Sequence, residues 1–289
     1  MVGSSGQLGS DLMTVLSGNP SFEPLGLLHK DLEVSDDSSC RKIVELKPDV
    51  VVNTAAFHRT DACEDDPLRA FRVNAVGSLN LSRICGEVGA TYLYVSTDYV
   101  FSGEKNQPYT EEDVPAPVNV YGASKLAGEE VASAYAPKHY IIRSSSLFGK
   151  AGASGKGGNF VETIMKKASS GEEIQVVDDV VMSPTSTMDL SETVCKMIER
   201  NLPVGVYHVA NSGSCTWWEF AREIVLMAGL KVEVKKTTSN EYPTKARRPR
   251  LSALTSLKLE CHGIGMRSWQ DALAEYLRLK GYVKQTHEE

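Results

Sequence analysis

Tyr121 and Lys125 stand four residues apart in Tyr121-Gly122-Ala123-Ser124-Lys125, with Thr97 upstream in Ser96-Thr97-Asp98. On a helix, residues at this spacing lie one above the other on a single face. The pattern therefore places an ammonium beside a phenol. A free phenol ionises near pH ~10 and is a poor proton donor or acceptor at neutrality. A neighbouring positive charge favours the phenolate, which predicts a downward shift of the Tyr121 pKa. A hydroxyl such as that of Thr97 can hold a carbonyl oxygen against the phenol. Such parts would serve to reduce a ketone or oxidise an alcohol with a hydride cofactor. Alone, the spacing also fits an exposed aromatic beside a solvated lysine, so the reading needs a second feature.

That feature is Gly3-Ser4-Ser5-Gly6-Gln7-Leu8-Gly9, followed over residues 10–16 by an amphipathic pattern that predicts a helix. Glycines permit a tight turn and let backbone N–H groups approach a pyrophosphate, while the helix N-terminus contributes partial positive charge. A dinucleotide-binding turn of this kind follows a buried strand of about five residues. Only Met1 and Val2 precede Gly3. The first strand is thus expected to be truncated: either the true start lies upstream or the strand is vestigial. Its loss would leave neighbouring strand edges unpaired and the glycine turn poorly anchored.

The 289 residues suffice for a large core in one bilobal unit or two domains. A hydrophobic content of 42% with 24% charged residues is that of a soluble globular chain. The net charge of -6 and the absence of a long basic run argue against a nucleic-acid partner. Residues 245–250 are basic but short and broken by Pro249, which suits a small anionic ligand. The 6 cysteines are scattered with no Cys-x-x-Cys, as expected of buried thiols in a reducing compartment. No apolar run reaches the ~20 residues of a membrane span, and no signal peptide is evident. The sequence reads as a cytoplasmic protein. No compact cluster of ligands marks a metal site, and homodimer formation is left open.

Apolar runs alternate with helical patterns. Strands are expected at residues 24–28, 49–53, 91–96 and 139–143, and helices at 37–46, 67–87 and 121–134. This alternation predicts an α/β fold, a doubly wound parallel (Rossmann) sheet. Ligands bind such sheets beyond the carboxyl ends of the strands, where Thr54-Ala55-Ala56 and Ser96-Thr97-Asp98 fall. After residue 147 the pattern loosens, and residues 149–158 read as a loop. The expected organisation is a dinucleotide-binding domain at 1–147 and a smaller, mainly substrate-binding lobe at 148–289, with some elements free to return to the main sheet.

With these motifs the chain resembles the dTDP-4-dehydrorhamnose reductases, a branch of the extended short-chain dehydrogenases/reductases. The specific segments are Ser96-Thr97-Asp98-Tyr99-Val100-Phe101 and Asn119-Val120-Tyr121-Gly122-Ala123-Ser124-Lys125-Leu126-Ala127-Gly128-Glu129. Val52-Asn53-Thr54-Ala55-Ala56, Gly158-Asn159-Phe160, Ser183-Pro184-Thr185 and Arg247-Arg248-Pro249-Arg250 extend the likeness along almost the whole chain. The resemblance implies that Tyr121 donates a proton to the new alcohol oxygen. Lys125 would lower the phenol's pKa and hold the nicotinamide ribose, Thr97 would position the sugar C4 carbonyl, and Asp98 would orient Thr97 or contact the sugar. The pyrophosphate would lie over Gly3, Gly6, Gln7 and Leu8. Glu33 and Val34 would line the adenine pocket, and Ala55 and Ala56 would approach the cofactor. A nucleotide-sugar substrate would meet Ser146, Asn159, Phe160, Arg247 and Arg250.

Two positions bear on specificity. In His29-Lys30-Asp31, Lys30 could pair with a 2'-phosphate while Asp31 argues for a free ribose hydroxyl; NADPH is favoured, with NADH also usable. After Arg143 the family usually reads Thr-Ser-Trp, whereas this chain has Ser144-Ser145-Ser146, so an aromatic surface is missing. Trp217 and Trp218 are expected in the core, and His208 as a hydrogen-bonded structural histidine. Other readings are a nucleotide-sugar epimerase or dehydratase of the same superfamily, and a regulatory subunit like the beta subunit of methionine adenosyltransferase.

Overall fold

Strands that are apolar on both faces must be covered on both, and parallel strands must be joined by crossovers, so helices come to pack on either side of the sheet. The computed structural model of the chain describes residues 1–152 and 158–283. Helix α1 (Gln7–Ser17) is followed by α2 (Asp37–Cys40), α3 (Lys42–Leu46) and strand β1 (Val50–Asn53). Next come α4 (Thr60–Asp65), α5 (Pro67–Phe71), a π-helical turn at Arg72–Val76, α6 (Gly77–Val88) and β2 (Thr91–Val95). Helix α7 (Val120–Tyr135) and β3 (His139–Arg143) complete the regular alternation. The second half contains β4 (Leu147–Phe148), α8 (Phe160–Ser170), β5 (Ile174–Val177), β6 (Val181–Met182), β7 (Thr185–Ser186), α9 (Thr187–Glu199) and β8 (Gly205–His208). It ends with β9 (Cys215–Thr216), α10 (Trp217–Met227), β10 (Val234–Thr237), α11 (Leu257–Cys261) and α12 (Trp269–Leu279).

Strands β1, β2, β3 and β8 form one parallel sheet in that order. Strand β8 therefore returns from the second half to the main sheet. The expected truncation of the first strand has a specific outcome. Val2 forms parallel bridges to Leu27 on one side and Asn53 on the other. Its N–H donates to Val52 O at 2.8 Å and its carbonyl accepts from Thr54 N at 3.1 Å. Two residues thus occupy the central slot and anchor the glycine turn, so the neighbouring edges are paired where the turn begins. The strand expected at 24–28 contracts to the bridge between Leu27 and Val2.

Residues 37–46 fold as two short helices joined at Arg41, whose φ/ψ of -57°/-19° remains helical. The long helix expected at 67–87 is continuous in direction but passes through the π turn. There Asn74 O accepts from Tyr94 Oη at 2.9 Å.

One face of the sheet is covered by α1 and α9, through Leu8, Leu12, Leu190, Val194 and Met197 against Val52, Leu93 and Ile142. The other is covered by α6 and α7, through Leu81, Ile84 and Ala132 against Val51, Tyr92, Tyr94 and Ile141. A separate core in the second half joins α8, α10 and α12 through Ile164, Phe220, Ile224, Trp269 and Leu273. Five cysteines are buried, and Cys261 is exposed, contrary to the expectation that all six lie inside. The loop expected at 149–158 falls partly on residues 153–157, outside the described residues.

Candidate active site

Tyr121 and Lys125 lie in the first two turns of α7. Asn119 fixes the start of that helix: its Oδ1 accepts from Gly122 N at 2.8 Å, and its Nδ2 donates to Arg247 O at 2.9 Å. Thr97 follows β2 at the carboxyl end of the sheet. Its hydroxyl donates to Asp98 Oδ1 at 3.0 Å, accepts from Tyr99 N at 3.2 Å, and acts on the Tyr121 phenol as a hydrogen-bonding neighbour. The ring of Tyr99 meets that of Tyr121 edge-on, with centroids 6.0 Å apart. Asp98 is buried and accepts from Ser145 Oγ at 2.8 Å. Burial pushes its carboxyl up to about 6, against the hydrogen bonds from Ser252, Ser145 and Thr97.

The downward shift expected for Tyr121 is not what the folded chain shows. Burial pushes the phenol above its ordinary value; the hydrogen bond from Thr97 opposes this and the Asp98 charge adds to it. The ammonium of Lys125 is engaged elsewhere. It donates to Val95 O at 2.5 Å and lies 4.0 Å above the centre of the Tyr94 ring. Burial pulls Lys125 down to about 7, with the Glu129 carboxylate opposing. Glu129 is itself gripped by Arg143 at 2.6 Å and by Ser96 Oγ at 2.5 Å.

At the other wall, Gly3 turns with φ 80°, and Gly6 N donates to Gly3 O at 3.0 Å. A Cβ on Gly9 would lie 2.2 Å from Gly3 O, so only glycine lets the turn close on the helix. Helix α1 has no side-chain cap, leaving its first amides directed at the cleft. Gln7 Nε2 donates to Leu147 O at 3.1 Å, while its buried Oε1 has no protein partner.

These parts share one cleft of about 780 Å³. Gly3, Gly6, Gln7, Leu8, Glu33, Val34, Ala55 and Ala56 border it, as do Thr97, Asp98, Tyr121, Lys125 and Ser146, and then Asn159 and Phe160. Ser146 holds the left-handed conformation at φ 46°, which is uncommon for a non-glycine residue. The Asn159 side chain is consumed by structure: it caps α8 and donates to Gly149 O and Tyr276 Oη.

Three expected contacts do not border the cleft. Lys30 is exposed and away from it, whereas Glu33 lines it and pairs with His29 at 2.7 Å. Arg247 and Arg250 point to solvent, because Arg248 takes the inward position. Arg248 pairs with Asp61 at 3.1 Å and lies 6.0 Å above the Tyr99 ring centre.

Sequence reasoning missed Trp217 as a cleft residue. It borders the cleft with Phe160, their rings 4.6 Å apart, while Trp218 packs behind and donates to Val234 O. Its place at the first position of α10 was the available signal. His58 also lines the cleft. His208 is structural as expected: its Nδ1 lies 3.1 Å from both Tyr109 O and Thr255 O, and burial pulls the ring down to about 3.

The model of the RmlD substrate binding domain family matches residues 1–280. The chain belongs to this family, that of the dTDP-4-dehydrorhamnose reductases. Its relatives include the spore coat polysaccharide biosynthesis protein SpsK of Bacillus subtilis, 39% identical over 279 residues and covering 96% of each chain. The fold superposes on a dTDP-4-dehydrorhamnose reductase from Clostridium acetobutylicum with a TM-score of 0.91 at 38% identity, covering 97% of this chain and 98% of that one. A dTDP-4-dehydrorhamnose reductase from Bacillus anthracis, solved in complex with NADP, gives 0.91 at 36% identity over 96% and 97% of the two chains.

Proposed function

We propose that this protein reduces the C4 keto group of dTDP-4-dehydro-L-rhamnose to dTDP-L-rhamnose with NADPH, NADH also being usable. One observation carries the reading: Thr97, Tyr121 and Lys125 meet at the carboxyl end of the sheet, in the same cleft as an uncapped helix N-terminus built from glycines.

The residues present fit a dinucleotide. Gly3, Gly6, Gln7 and Leu8 would take the pyrophosphate on backbone amides, and the unpartnered Gln7 Oε1 would accept from a ribose hydroxyl rather than from the phosphates. Glu33, Val34, Ala55 and Ala56 would flank the adenosine half, and Lys125 the nicotinamide ribose. When bound, the nicotinamide supplies a hydride to the carbonyl carbon.

The chain's own residues manage the oxygen. Thr97 donates to the C4 oxygen and holds it against Tyr121, whose proton moves to that oxygen as negative charge develops. The burial that raises the Tyr121 pKa keeps the phenol protonated, the form that reduction requires. The ammonium of Lys125 favours the phenolate left behind. Asp98 holds the Thr97 side chain through the 3.0 Å bond between them, and the hydroxyl turns its one proton from Asp98 to the C4 oxygen when the sugar binds. Phe160 and Trp217 offer the aromatic wall on the second-half side of the cleft, where the nucleotide sugar would lie. The reading suits a cytoplasmic biosynthetic enzyme, and no helix among the described residues is long and apolar enough to cross a membrane.

The test is to mix the protein with NADPH and dTDP-4-dehydrorhamnose generated in situ and to follow the nicotinamide absorbance. Loss of the band with formation of the rhamnose nucleotide supports the reading. A stable band under conditions where NADPH binds would instead point to another keto sugar or to a regulatory role.

A further inference from the structure

Tyr94 belongs to neither of the motifs that mark the site, yet it is the residue on which Lys125 rests. It sits on β2 and is fully buried, and its ring centre lies 4.0 Å from Lys125 Nζ. Its hydroxyl donates to Asn74 O, a carbonyl within the π turn, at 2.9 Å. The side chain of Asn74 in turn donates to Ser124 Oγ at 2.9 Å, beside Lys125 in sequence. Space for the ring is made by α7 itself. A Cβ on Gly128 would lie 2.2 Å from Tyr94 Oη and 2.5 Å from Asn74 O, so any other residue there would drive the phenol out from under the helix.

A buried ammonium needs each of its donors met or compensated. Val95 O accepts one at 2.5 Å, and the ring face stabilises the charge from below. We propose that Tyr94 is a positioning residue for Lys125. Its ring face, with the Val95 carbonyl, fixes the ammonium at one depth below Tyr121, leaving a donor free for the cleft that Lys125 borders. This role rests on the reductase reading for its catalytic consequence, but the placement of the ammonium does not. The other titratable and charged groups around it are Glu129, one turn further along α7 and held by Arg143 of β3, Tyr92 stacked on Tyr94, and Tyr121 itself.

The test compares Tyr94→Leu with Tyr94→Phe in the intact protein. In the NMR spectrum of lysine labelled at Cε, the Lys125 methylene, assigned by its disappearance in Lys125→Met, is expected upfield from the ring current of Tyr94. Phenylalanine is expected to keep that shift and leucine to abolish it; Tyr94→Met serves in place of leucine if the latter does not fold. With dTDP-4-dehydrorhamnose and NADPH, leucine is expected to lower turnover about tenfold. It is also expected to move the high-pH loss of activity down by about one unit, because the uncompensated ammonium deprotonates earlier. Phenylalanine rescues both effects. The proposal is overturned if the wild-type methylene is not shifted, if leucine leaves shift and pH profile unchanged, or if phenylalanine does the same damage as leucine, which would make the Asn74 bond the operative contact. A wild-type protein that binds NADPH but does not turn over would refute the reductase reading alone, and the lysine spectra and their pH titration would still decide the placement.

Discussion

Helices α1 and α7 both begin at the cleft, and their first turns are built in opposite ways. Helix α1 starts from Gly6 with no side-chain cap. Helix α7 starts from Asn119, whose Oδ1 meets Gly122 N at 2.8 Å and whose Nδ2 ties the helix to Arg247 O. The unpaired amides of α1 form a positive end that a phosphate can complete. In α7 the amides of Val120 and Gly122 are already met by Glu64 Oε1 and Asn119 Oδ1, bonds that fix the turn carrying Tyr121 and Lys125. On the proposed reading, one helix start would recognise with its backbone and the other would act through its side chains.

On this contrast the largest effect belongs to Tyr121→Phe. Turnover of the keto sugar is expected to fall by two to four orders of magnitude, roughly the worth of a general acid, with NADPH affinity by fluorescence titration little changed. A variant with near-normal turnover would remove Tyr121 from the proton transfer.

Asp98→Asn comes next, and its effect on stability depends on pH. A carboxyl raised in the folded state from 3.8 to about 6 binds its proton more tightly when folded than when unfolded. The native state is therefore favoured below the unfolded value and loses that advantage as pH rises through about 6. Replacing it with a neutral amide should raise stability at pH 8 by on the order of 3 kcal/mol and change it little at pH 4. Denaturant melts at the two pH values measure this, and equal shifts at both would refute the assignment.

Gly9→Ala attacks the α1 side of the contrast. The added Cβ meets Gly3 O and must displace the turn. An overpacking cost of about 1–3 kcal/mol corresponds to roughly a 10–100-fold loss of NADPH affinity, with a smaller change in turnover at saturating cofactor. An equal loss of both would show that the two helix starts are not separable. The smallest effect is that of Asn119→Ala, a cap removal expected to cost about 1 kcal/mol. It should lower the melting temperature and reduce turnover modestly while leaving NADPH affinity intact.

Much of the site was legible in the chain because its signals are local. The spacing of Tyr121 and Lys125 fixes their shared helix face, the glycines fix a turn at the head of α1, and the alternation of apolar runs predicts the sheet that places Thr97 near both. Where the reading went astray, the cause was an interaction between distant segments. Nothing near residue 248 shows that Asp61 will draw Arg248 inward at 3.1 Å and leave Arg247 and Arg250 in solvent. Nothing near Trp217 shows that Phe160 will meet it across the cleft.

The sequence by itself determined the fold class, most of the secondary structure around the cleft and which residues are candidates for the chemistry, because helix and strand periods and turn chemistry act over a few residues. Only the tertiary structure decided how those groups are tuned. Val2 fills the central slot because the carbonyls and amides of Leu27 and the β1 region stand ready to pair with it. Tyr121 is raised, not lowered, because burial outweighs the hydrogen bonding with Thr97 and the charge of Asp98 adds to it. Lys125 settles on Tyr94 and Val95 because the glycine at 128 lets α7 approach β2. Desolvation and close packing are set by what the whole chain brings within a few ångströms, and no local pattern encodes that distance.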